Sequence, residues 1–309
     1  MRIGFASLVG LEPLPLPNVV HWAAEHGFDS LEINTGPGYP PTDTSGVPGH
    51  LDLKSILSDG PDETLALFAD HRISIAALAP MINLLTRDAS LQRQMVAEMQ
   101  MTIEATAALG CDTVVTFAGS GDGMHFYGLP GAGDGHESNR VRENLDRFAD
   151  VYGPLAEFAE CHGVRIAFET AGRGGGEGNI AHNPELWDAM FEAIPSPFIG
   201  LSFDPSHLVW LHIPDITSLV RQYAHRIYHF DGKDCEILPD RLARQGILGS
   251  SWWRYRLPGQ GDLDWPSIIA TLREIGYNGS ITIEQEDPVC PGYDGVKTAG
   301  KFLRNAVSG

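Results

Sequence analysis

A carboxylate and an imidazole stand three residues apart in the segment FDPSHL at residues 203–208. The apolar run just before it, residues 198–202, is typical of a short buried strand, so Asp204 comes where a strand meets its loop. Asp204 and His207 together offer the oxygen and nitrogen donors that suit a divalent metal ion. An Asp before a Pro is also a good helix start, with Asp204 as the N-cap. On these six residues alone, the cap is the simpler interpretation.

Acidic or imidazole side chains recur at the ends of neighbouring predicted strands. They follow the fifth, sixth, seventh and eighth strands and are Glu169, Asp204, His229 and Glu284. One acid at such a place is usually a cap or a solvated loop residue, but four in succession are harder to explain in that way. Two carboxylates about 4 Å apart repel by about 4 kcal/mol at an effective dielectric of about 20, unless a cation intervenes. The set therefore predicts Mn²⁺, Mg²⁺ or Co²⁺ rather than a structural zinc ion, with positions left open for substrate.

The elements that must position these residues alternate along the whole chain. Eight predicted strand-then-helix units follow one another with no linker, which indicates a parallel sheet that closes into a single (β/α)8 TIM barrel over residues 1–309. A doubly wound open sheet is the competing architecture, but no G-x-G-x-x-G turn or phosphate-binding loop supports it. In a barrel, the carboxyl ends of the strands converge on one mouth, so the four side chains are expected to meet there.

A loop of roughly thirty residues follows the seventh predicted strand, residues 226–228, and its length suggests a function. It carries the sequence WWRYR at 252–256, whose adjacent aromatic residues cannot all face one core. Trp252 and Arg254 are therefore candidate substrate contacts, because aromatic faces suit sugar rings or a flat aglycone. Packing of the loop against its own barrel or a subunit interface is the alternative. The glycine-rich stretches 119–135 and 172–178 are expected to be mobile loops over the site.

Charge and cysteine usage exclude several classes of protein. The 309 residues include 40 Asp and Glu against 21 Lys and Arg, a net charge of -19, which argues against a nucleic-acid partner. The 4 cysteines form no C-x-x-C pair, so free thiols in a reducing cytoplasm are expected. The apolar run near the start is too short for a signal peptide, and no run reaches membrane-spanning length. We expect a cytoplasmic protein with no membrane partner.

Several motifs then point to one family. They are FET at 168–170, FDPSH at 203–207, HFDGKD at 229–234, LPGQGDLD at 257–264 and IEQED at 283–287. Together they resemble the xylose isomerase-like barrel superfamily of sugar phosphate isomerases and epimerases, which includes ketose 3-epimerases and inosose isomerases. The resemblance covers almost the whole chain. Many relatives have H-x-H on strand seven, whereas this chain has Asp231 two residues after His229.

The resemblance implies roles for particular residues. As metal ligands it implies Glu169, Asp204, His229 and Glu284. In ketose epimerases the two glutamates also move the proton, and the histidine matching His207 helps to hold the substrate. Because the second histidine of strand seven is replaced, we expect Asp231 and Lys233 to influence substrate choice. Lys233 is also placed to stabilise a developing oxyanion, and Glu32, near the end of strand two, is a further candidate substrate contact.

Two functions of different class follow. The first is a metal-dependent isomerase or epimerase, with Mn²⁺ as the expected ion, that moves a proton beside the carbonyl of an unphosphorylated keto sugar or inosose through an enediolate. The second is a lyase that cleaves 3-oxo-glycosides by elimination, since C-glycoside deglycosidase large subunits also resemble this barrel. The first implies a homo-oligomer, and the second a hetero-oligomer with a small β-rich subunit. A nuclease resembling endonuclease IV would need further histidines and a basic face.

Overall fold

The computed structural model describes residues 1–36, 49–121, 136–171 and 178–309, with only the backbone for 136–140. The glycine-rich stretches expected to form loops over the site lie largely outside these residues. In the described ranges, no helix combines the length and apolar character needed to span a bilayer. All four cysteines are free, as the spacing predicts: Cys111, Cys161, Cys235 and Cys290.

The predicted (β/α)8 barrel is confirmed, because eight parallel strands close in the order β1-β10-β7-β6-β5-β4-β3-β2. The barrel strands are β1 (Arg2–Ala6), β2 (Ser30–Asn34), β3 (Ser74–Ala79), β4 (Thr113–Thr116), β5 (Arg165–Glu169), β6 (Ile199–Phe203), β7 (Ile227–Asp231) and β10 (Ser280–Ile283). Two more strands, β8 (Asp234–Ile237) and β9 (Trp253–Arg256), pair antiparallel outside it. β1 pairs in parallel with β10, from Arg2 opposite Ser280 to Phe5 opposite Ile283.

Helices follow the strands as the alternation requires. In the described ranges they are α1 (Leu16–Glu25), α2 (Leu53–Asp59), α3 (Asp62–His71), α4 (Ala89–Ala108), α5 (His136–Cys161), α6 (Pro184–Ala193), α7 (Pro205–Trp210), α8 (Ile216–Gln222), α9 (Pro239–Gln245), α10 (Trp265–Glu274) and α11 (Gly292–Ser308). The apolar positions of α1 show why they pack: Leu16, Val19, Val20 and Ala23 recur at helical spacing and are all buried.

The chain divides into two compact units. One contains Met1–Ile33, Leu65–Ala76 and Phe203–Gly309, and the other contains Asn34–Thr64 and Ala77–Ser202. The first unit includes β1, β7, β10 and the antiparallel pair. Its core is partly aromatic, because the ring of Phe5 packs edge-on against Phe28 with their centroids 4.9 Å apart. The second unit includes β4 and β5, which pair in parallel register from Thr113↔Arg165 to Thr116↔Phe168.

The long segment after β7 is not the loop that the sequence predicts. It is a hairpin of β8 and β9 in which Asp234 opposes Arg256 and Ile237 opposes Trp253, with α9 between the two strands. In addition, β7 runs three residues beyond Tyr228, where the predicted strand ends, so that it ends at Asp231. His229 therefore lies inside the strand rather than after it.

One buried carboxylate shapes the turn that follows the hairpin. The Asp234 side chain accepts hydrogen bonds from the backbone N–H groups of Gly259, Gly261 and Leu263 at 3.0 to 3.2 Å. The indole N–H of Trp265 donates to the same carboxylate at 3.0 Å. A Cβ on Gly261 would collide with the Asp234 carboxylate. Gly261 of the LPGQGDLD motif therefore lets the backbone approach Asp234 closely, and Gly259 adopts a positive φ of 79° that favours glycine.

Candidate active site

Four charged side chains of the first unit meet beyond the carboxyl ends of β6, β7 and β10. We call them the lysine cluster: Asp204, Lys233, Glu284 and Glu286. The Lys233 Nζ lies 2.9 Å from Asp204 Oδ2 and 2.8 Å from Glu286 Oε2, and it also donates to Glu284 Oε2. Lys233 is 1% exposed. A fully buried ammonium thus has three carboxylate partners, and the predicted oxyanion-binding lysine lies among the predicted ligands.

Asp204 has both of the roles that its sequence context suggests. It follows β6 and caps α7, with Oδ1 accepting from the Ser206 N–H at 2.7 Å. The other oxygen, Oδ2, faces Lys233 and lies 3.2 Å from His207 Nε2. Burial raises the pKa of Asp204, but Lys233 and His207 more than offset this effect. The pKa of Asp204 is therefore well below its ordinary value, and the carboxylate stays charged.

A tyrosine of the hairpin continues this chain of contacts. The Tyr255 hydroxyl lies 3.1 Å from His207 Nδ1, and Lys233 Nζ lies 4.6 Å from the centroid of the Tyr255 ring. In the sequence, Tyr255 is one of the adjacent aromatic residues of WWRYR but is not singled out as a substrate contact. Its signal is the alternation of Trp253 and Tyr255 with arginines, which indicates a strand with one aromatic face. That face packs on α7, where Trp253 stacks on Trp210 with ring centroids 4.7 Å apart.

Glu284 is the carboxyl group of the lysine cluster whose pKa is raised. Burial raises its pKa, and although Lys233 opposes this, nearby carboxylates including Glu286 add to it, so that the pKa is about 7. Glu286 was not singled out in the sequence. It lies two residues after Glu284 in the IEQED motif, the spacing that returns a side chain to the same side of extended backbone.

A second group of buried donors lies in the same unit, and we call it the imidazole cluster: Glu32, His229 and Asp231. Each offers one ligand atom, and these atoms all lie within 4.8 Å of one another. His229 Nε2 lies 2.9 Å from Glu32 Oε2 and 3.6 Å from Asp231 Oδ1. The sequence predicts Glu32 and Asp231 as substrate contacts, but the structure places them beside the predicted metal ligand His229.

Strand alternation explains why these three side chains meet. On β2, Glu32 alternates with Leu31 and Ile33, which are both fully buried, so the carboxylate points to the opposite face of the sheet. On β7, His229 and Asp231 are two residues apart and share a face. Phe230 points to the other side. The extension of β7 to Asp231 therefore decides the composition of the imidazole cluster.

The imidazole cluster has the donor set that a divalent ion needs. Two carboxylates and one imidazole, with no thiolate, suit Mn²⁺, Zn²⁺ and similar ions. Although Glu32 Oε2 and His229 Nε2 are close, their geometry is not that of a hydrogen bond, and both atoms are buried without a hydrogen-bond partner among the described residues. Such groups rarely stay unsatisfied in a folded protein. The residues present therefore fit a bound cation.

The four predicted metal ligands are distributed over these groups. Asp204 and Glu284 belong to the lysine cluster, and His229 belongs to the imidazole cluster. Glu169 ends β5 in the second unit, where it is 3% exposed and its backbone carbonyl accepts from Asn179 Nδ2 at 2.8 Å. As a single ligand set, these four residues stay a prediction.

Trp252 and Arg254 have their contacts within the hairpin and its surroundings. Trp252 is buried, and its indole N–H donates to the Ile247 carbonyl at 3.1 Å while its ring stacks on His212. Arg254 Nε donates to Glu236 Oε2 at 2.6 Å. Packing of the segment against its own chain, the alternative left open in the sequence, accounts for these contacts. Their predicted substrate-binding roles stay predictions.

Known proteins resemble this chain over part or most of its length. An inosose isomerase from Bacillus velezensis is 25% identical, with 92% of this chain and 88% of the relative covered. An inosose dehydratase from Salmonella typhimurium is 31% identical over 43% of this chain and 44% of its own. The structure of the IolI protein with a bound zinc atom superimposes with a TM-score of 0.71 at 20% identity, covering 100% of this chain and 98% of that one.

The family model of the xylose isomerase-like TIM barrel matches residues 20–306. This range includes every motif on which the resemblance was based, from FET to IEQED, and the closed parallel barrel agrees with it. The family that the motifs indicate is therefore confirmed. This chain belongs to the xylose isomerase-like TIM barrel family.

Proposed function

We propose that this protein is a sugar isomerase or epimerase that moves a proton on the carbon beside the carbonyl of an unphosphorylated keto sugar or inosose. Membership of the family and the similarity to an inosose isomerase support this class of reaction. The observation that carries the proposal is the contact of the buried Glu284 carboxylate with the buried Lys233 ammonium. A base and an electrophile side by side are what enolisation requires.

In this proposal the substrate carbonyl oxygen replaces the Glu284 carboxylate as a hydrogen-bond acceptor of the Lys233 ammonium. Lys233 then donates to the oxygen on which negative charge develops, and Glu284, released from that ion pair, removes the proton from the adjacent carbon. The electron pair of the C–H bond forms the enediolate. Glu169 is the proposed second carboxylate, which in an epimerase returns a proton to the same carbon. In an isomerase it returns a proton to the neighbouring carbon, while the proton of the adjacent hydroxyl moves to the original carbonyl oxygen.

His207 and Tyr255 are proposed to orient the substrate. Their contact, together with the contact between His207 and Asp204, fixes the imidazole ring at both nitrogens. A ring fixed in this way presents a defined edge to a sugar hydroxyl, and orientation of this kind contributes to catalysis.

The proposed cofactor is one divalent ion, with Mn²⁺ the choice that oxygen-rich donors favour. Glu32, His229 and Asp231 are the residues of the first unit whose donor atoms fit it. When bound, such an ion polarises the carbonyl and stabilises negative charge on its oxygen.

The test is deuterium incorporation from D₂O, followed by proton NMR. The Mn²⁺-loaded protein is incubated with ketoses, inososes and 3-oxo-glycosides and is removed before spectra are recorded. We expect deuterium beside the carbonyl of one substrate class, and a Glu284→Gln variant should lose the exchange by at least about 100-fold because the base is gone. Glu274→Gln, a surface change of the same chemistry on α10, is the control and should exchange normally. Exchange near the wild-type rate in E284Q would refute the assignment.

A lyase is the second candidate, favoured by the similarity to an inosose dehydratase. It would use the same proton abstraction, after which a leaving group departs from the next carbon. For an inosose the products are an unsaturated ketone and water, and for a 3-oxo-glycoside they are the free aglycone and an unsaturated keto sugar. The same NMR experiment distinguishes these products from an epimer. The glycoside-cleaving form also predicts copurification with a small β-rich subunit, whereas the isomerase predicts a homo-oligomer.

A further inference from the structure

We propose that this chain forms a symmetric dimer in which an arm of each copy enters a pocket of the other copy. The arm is residues 239–251, the segment between β8 and β9 that contains α9. The pocket lies between α7, α8 and the turn before α10. Both features belong to the first unit. The contact gives a defined surface to the homo-oligomer that the isomerase predicts, and it does not depend on which reaction the enzyme performs.

The arm exposes two adjacent aliphatic residues. Ile247 is 51% exposed and Leu248 is 65% exposed, which makes Leu248 the most exposed large hydrophobic residue in the described part of the chain. Gly246, with a φ of 66°, ends α9 and turns the backbone just before them. Contiguous exposed apolar surface marks an interaction site more often than scattered single residues do. The end of the arm is therefore suited to contact with another protein.

Basic side chains precede these aliphatic residues on the arm. Arg241 and Arg244 are exposed and lie three residues apart on α9, so they are neighbours on the helix surface and outnumber the single acid Asp240. With a net charge of -19, two copies of this chain repel each other on average. Association of two copies is favoured where patches of opposite charge meet, and the arm supplies a positive patch.

The pocket has an apolar lining and a volume that suits the end of the arm. Its apolar lining residues are Val209, Ile213, Ile216, Leu263 and Ile268, and its volume is about 490 Å³. A cavity of about 150 Å³ accepts a benzene-sized apolar group. The pocket therefore has room for both exposed aliphatic side chains of the arm.

Three exposed carboxylates give the pocket a negative rim: Asp215, Asp262 and Asp264. Asp215 and Asp264 also cap α8 and α10, because they accept from the N–H groups of Ser218 and Ser267 at 3.1 and 3.2 Å. Capping explains each acid by itself but does not remove its charge. No lysine or arginine of the described ranges lines the pocket. The rim is therefore complementary in charge to the arginines of the arm.

The arm and the pocket border each other on the same copy, as a twofold dimer requires. Asp262 of the rim accepts from the Ile237 N–H at the base of the arm, at 2.8 Å. Near the end of the arm, the Ile247 carbonyl accepts from the indole of Trp252, whose ring stacks on His212 of the pocket. In an isologous interface both copies present the same surface, so two complementary patches must lie close together on it.

Analytical ultracentrifugation of the full chain in about 0.15 M NaCl measures this assembly. We expect the wild type to sediment as a dimer. Leu248→Asp should raise the dissociation constant at least about 100-fold, because each dimer loses two apolar contacts and places two carboxylates against acidic rims. Val289→Asp, at an aliphatic position that is 56% exposed and lies outside the arm and the pocket, is the matched control. It should stay within about threefold of the wild type.

Mixing two variants tests whether the arm and the pocket meet each other. Ile213→Asp alters only the pocket and should dissociate the dimer as L248D does. A mixture of I213D and L248D allows heterodimers that keep one unaltered arm in one unaltered pocket. The mixture should therefore dimerise at least about tenfold more tightly than either variant alone. Should I213D lack the circular dichroism of the wild type, Thr217→Arg, which places a cation in the pocket, takes its place.

Three results would overturn the inference. A wild type that stays monomeric at its highest soluble concentration would leave the pocket to a basic partner of another sequence. An L248D variant that dimerises like the wild type would place the contact on another surface. A mixture that dimerises no better than its components would show that the arm and the pocket do not meet. These results leave the proposed reaction untouched, because deuterium exchange measures it separately.

Discussion

At the scale of single residues, Lys233 is the side chain with the largest consequence for the site. A lone buried ammonium would be costly, but the carboxylates of Asp204, Glu284 and Glu286 more than offset burial and raise its pKa well above the ordinary value. Replacing a whole buried ion pair by apolar groups can be neutral, whereas removing one partner leaves an uncompensated charge. The stability of this region therefore depends on keeping the Lys233 ammonium together with the carboxylates that surround it.

Replacing Lys233 by Met tests this dependence. We expect the variant to lose about 3–5 kcal/mol of unfolding free energy, because the Asp204 carboxylate would remain buried and charged without its cation. Urea denaturation followed by circular dichroism gives the value, with EDTA present so that metal does not substitute for the lysine. Lys301→Met, at an exposed position on α11, is the matched control and should change stability by less than about 0.5 kcal/mol. A similarly small loss in K233M would show that the ammonium is not needed for folding.

At the scale of elements, the hairpin of β8 and β9 is fixed to the segment after β10 by one carboxylate. Asp287 accepts from the Arg256 guanidinium and the Leu257 N–H, both at 3.0 Å, and from the Val289 N–H at 2.7 Å. Burial raises the pKa of Asp287, but these hydrogen bonds and Arg256 outweigh burial, so that the pKa is lowered. The charged form thus holds the end of β9, and with it Tyr255, in place.

The effect of Asp287 on stability should depend on pH. Because its folded pKa lies below the unfolded value of about 3.9, its contribution is complete above that value and is lost as pH falls through the folded pKa. Asp287→Asn should therefore cost about 2 kcal/mol at pH 6, where charge-assisted hydrogen bonds are lost. The difference between D287N and wild type should narrow toward pH 3 in urea titrations. A difference that stays constant with pH would show that the hydrogen bonds, and not the charge, are responsible.

At the scale of the whole molecule, the net charge of -19 opposes compaction. Individual exposed ion pairs, such as Arg221 with Glu274 at 2.9 Å, contribute little in water. Repulsion summed over the surface therefore outweighs them when salt is low. At about 0.01 M salt the screening length is about 30 Å, and at 0.15 M it is about 8 Å.

Salt should therefore stabilise the metal-free protein. We expect the unfolding free energy at pH 7.5 to rise when NaCl is increased from about 0.01 M to about 0.15 M, since screening weakens repulsion between carboxylates. Near pH 5, close to the sequence pI of about 4.9, the same increase should have little effect because the net charge is near zero. Urea titrations at the two pH values measure both changes. Destabilisation by salt at pH 7.5 would show that local ion pairs dominate.

The sequence by itself determined the barrel and most of its strand ends. Alternation of apolar strands with helices fixes the order of the elements, and each strand is short and bounded by turn residues, so Glu169, Asp204 and Glu284 could be placed at strand ends from local signals alone. Even the double role of Asp204 was visible, since an Asp before a Pro both caps a helix and presents a second oxygen. These features depend on neighbours in the chain, which a sequence contains.

Only the tertiary structure decided which of these side chains meet. Because β7 extends three residues beyond its predicted end at Tyr228, His229 lies inside the strand, beside Glu32 and Asp231, and no local signal in the sequence predicts this extension. Lys233 lies in a predicted loop in the sequence, yet it is buried among three carboxylates from two segments that are far apart in the chain. Tyr255 reaches His207 only because β9 pairs with β8. Ion pairing and ligand geometry arise from residues far apart in the chain, so the pairing of strands and the burial of charge determine them.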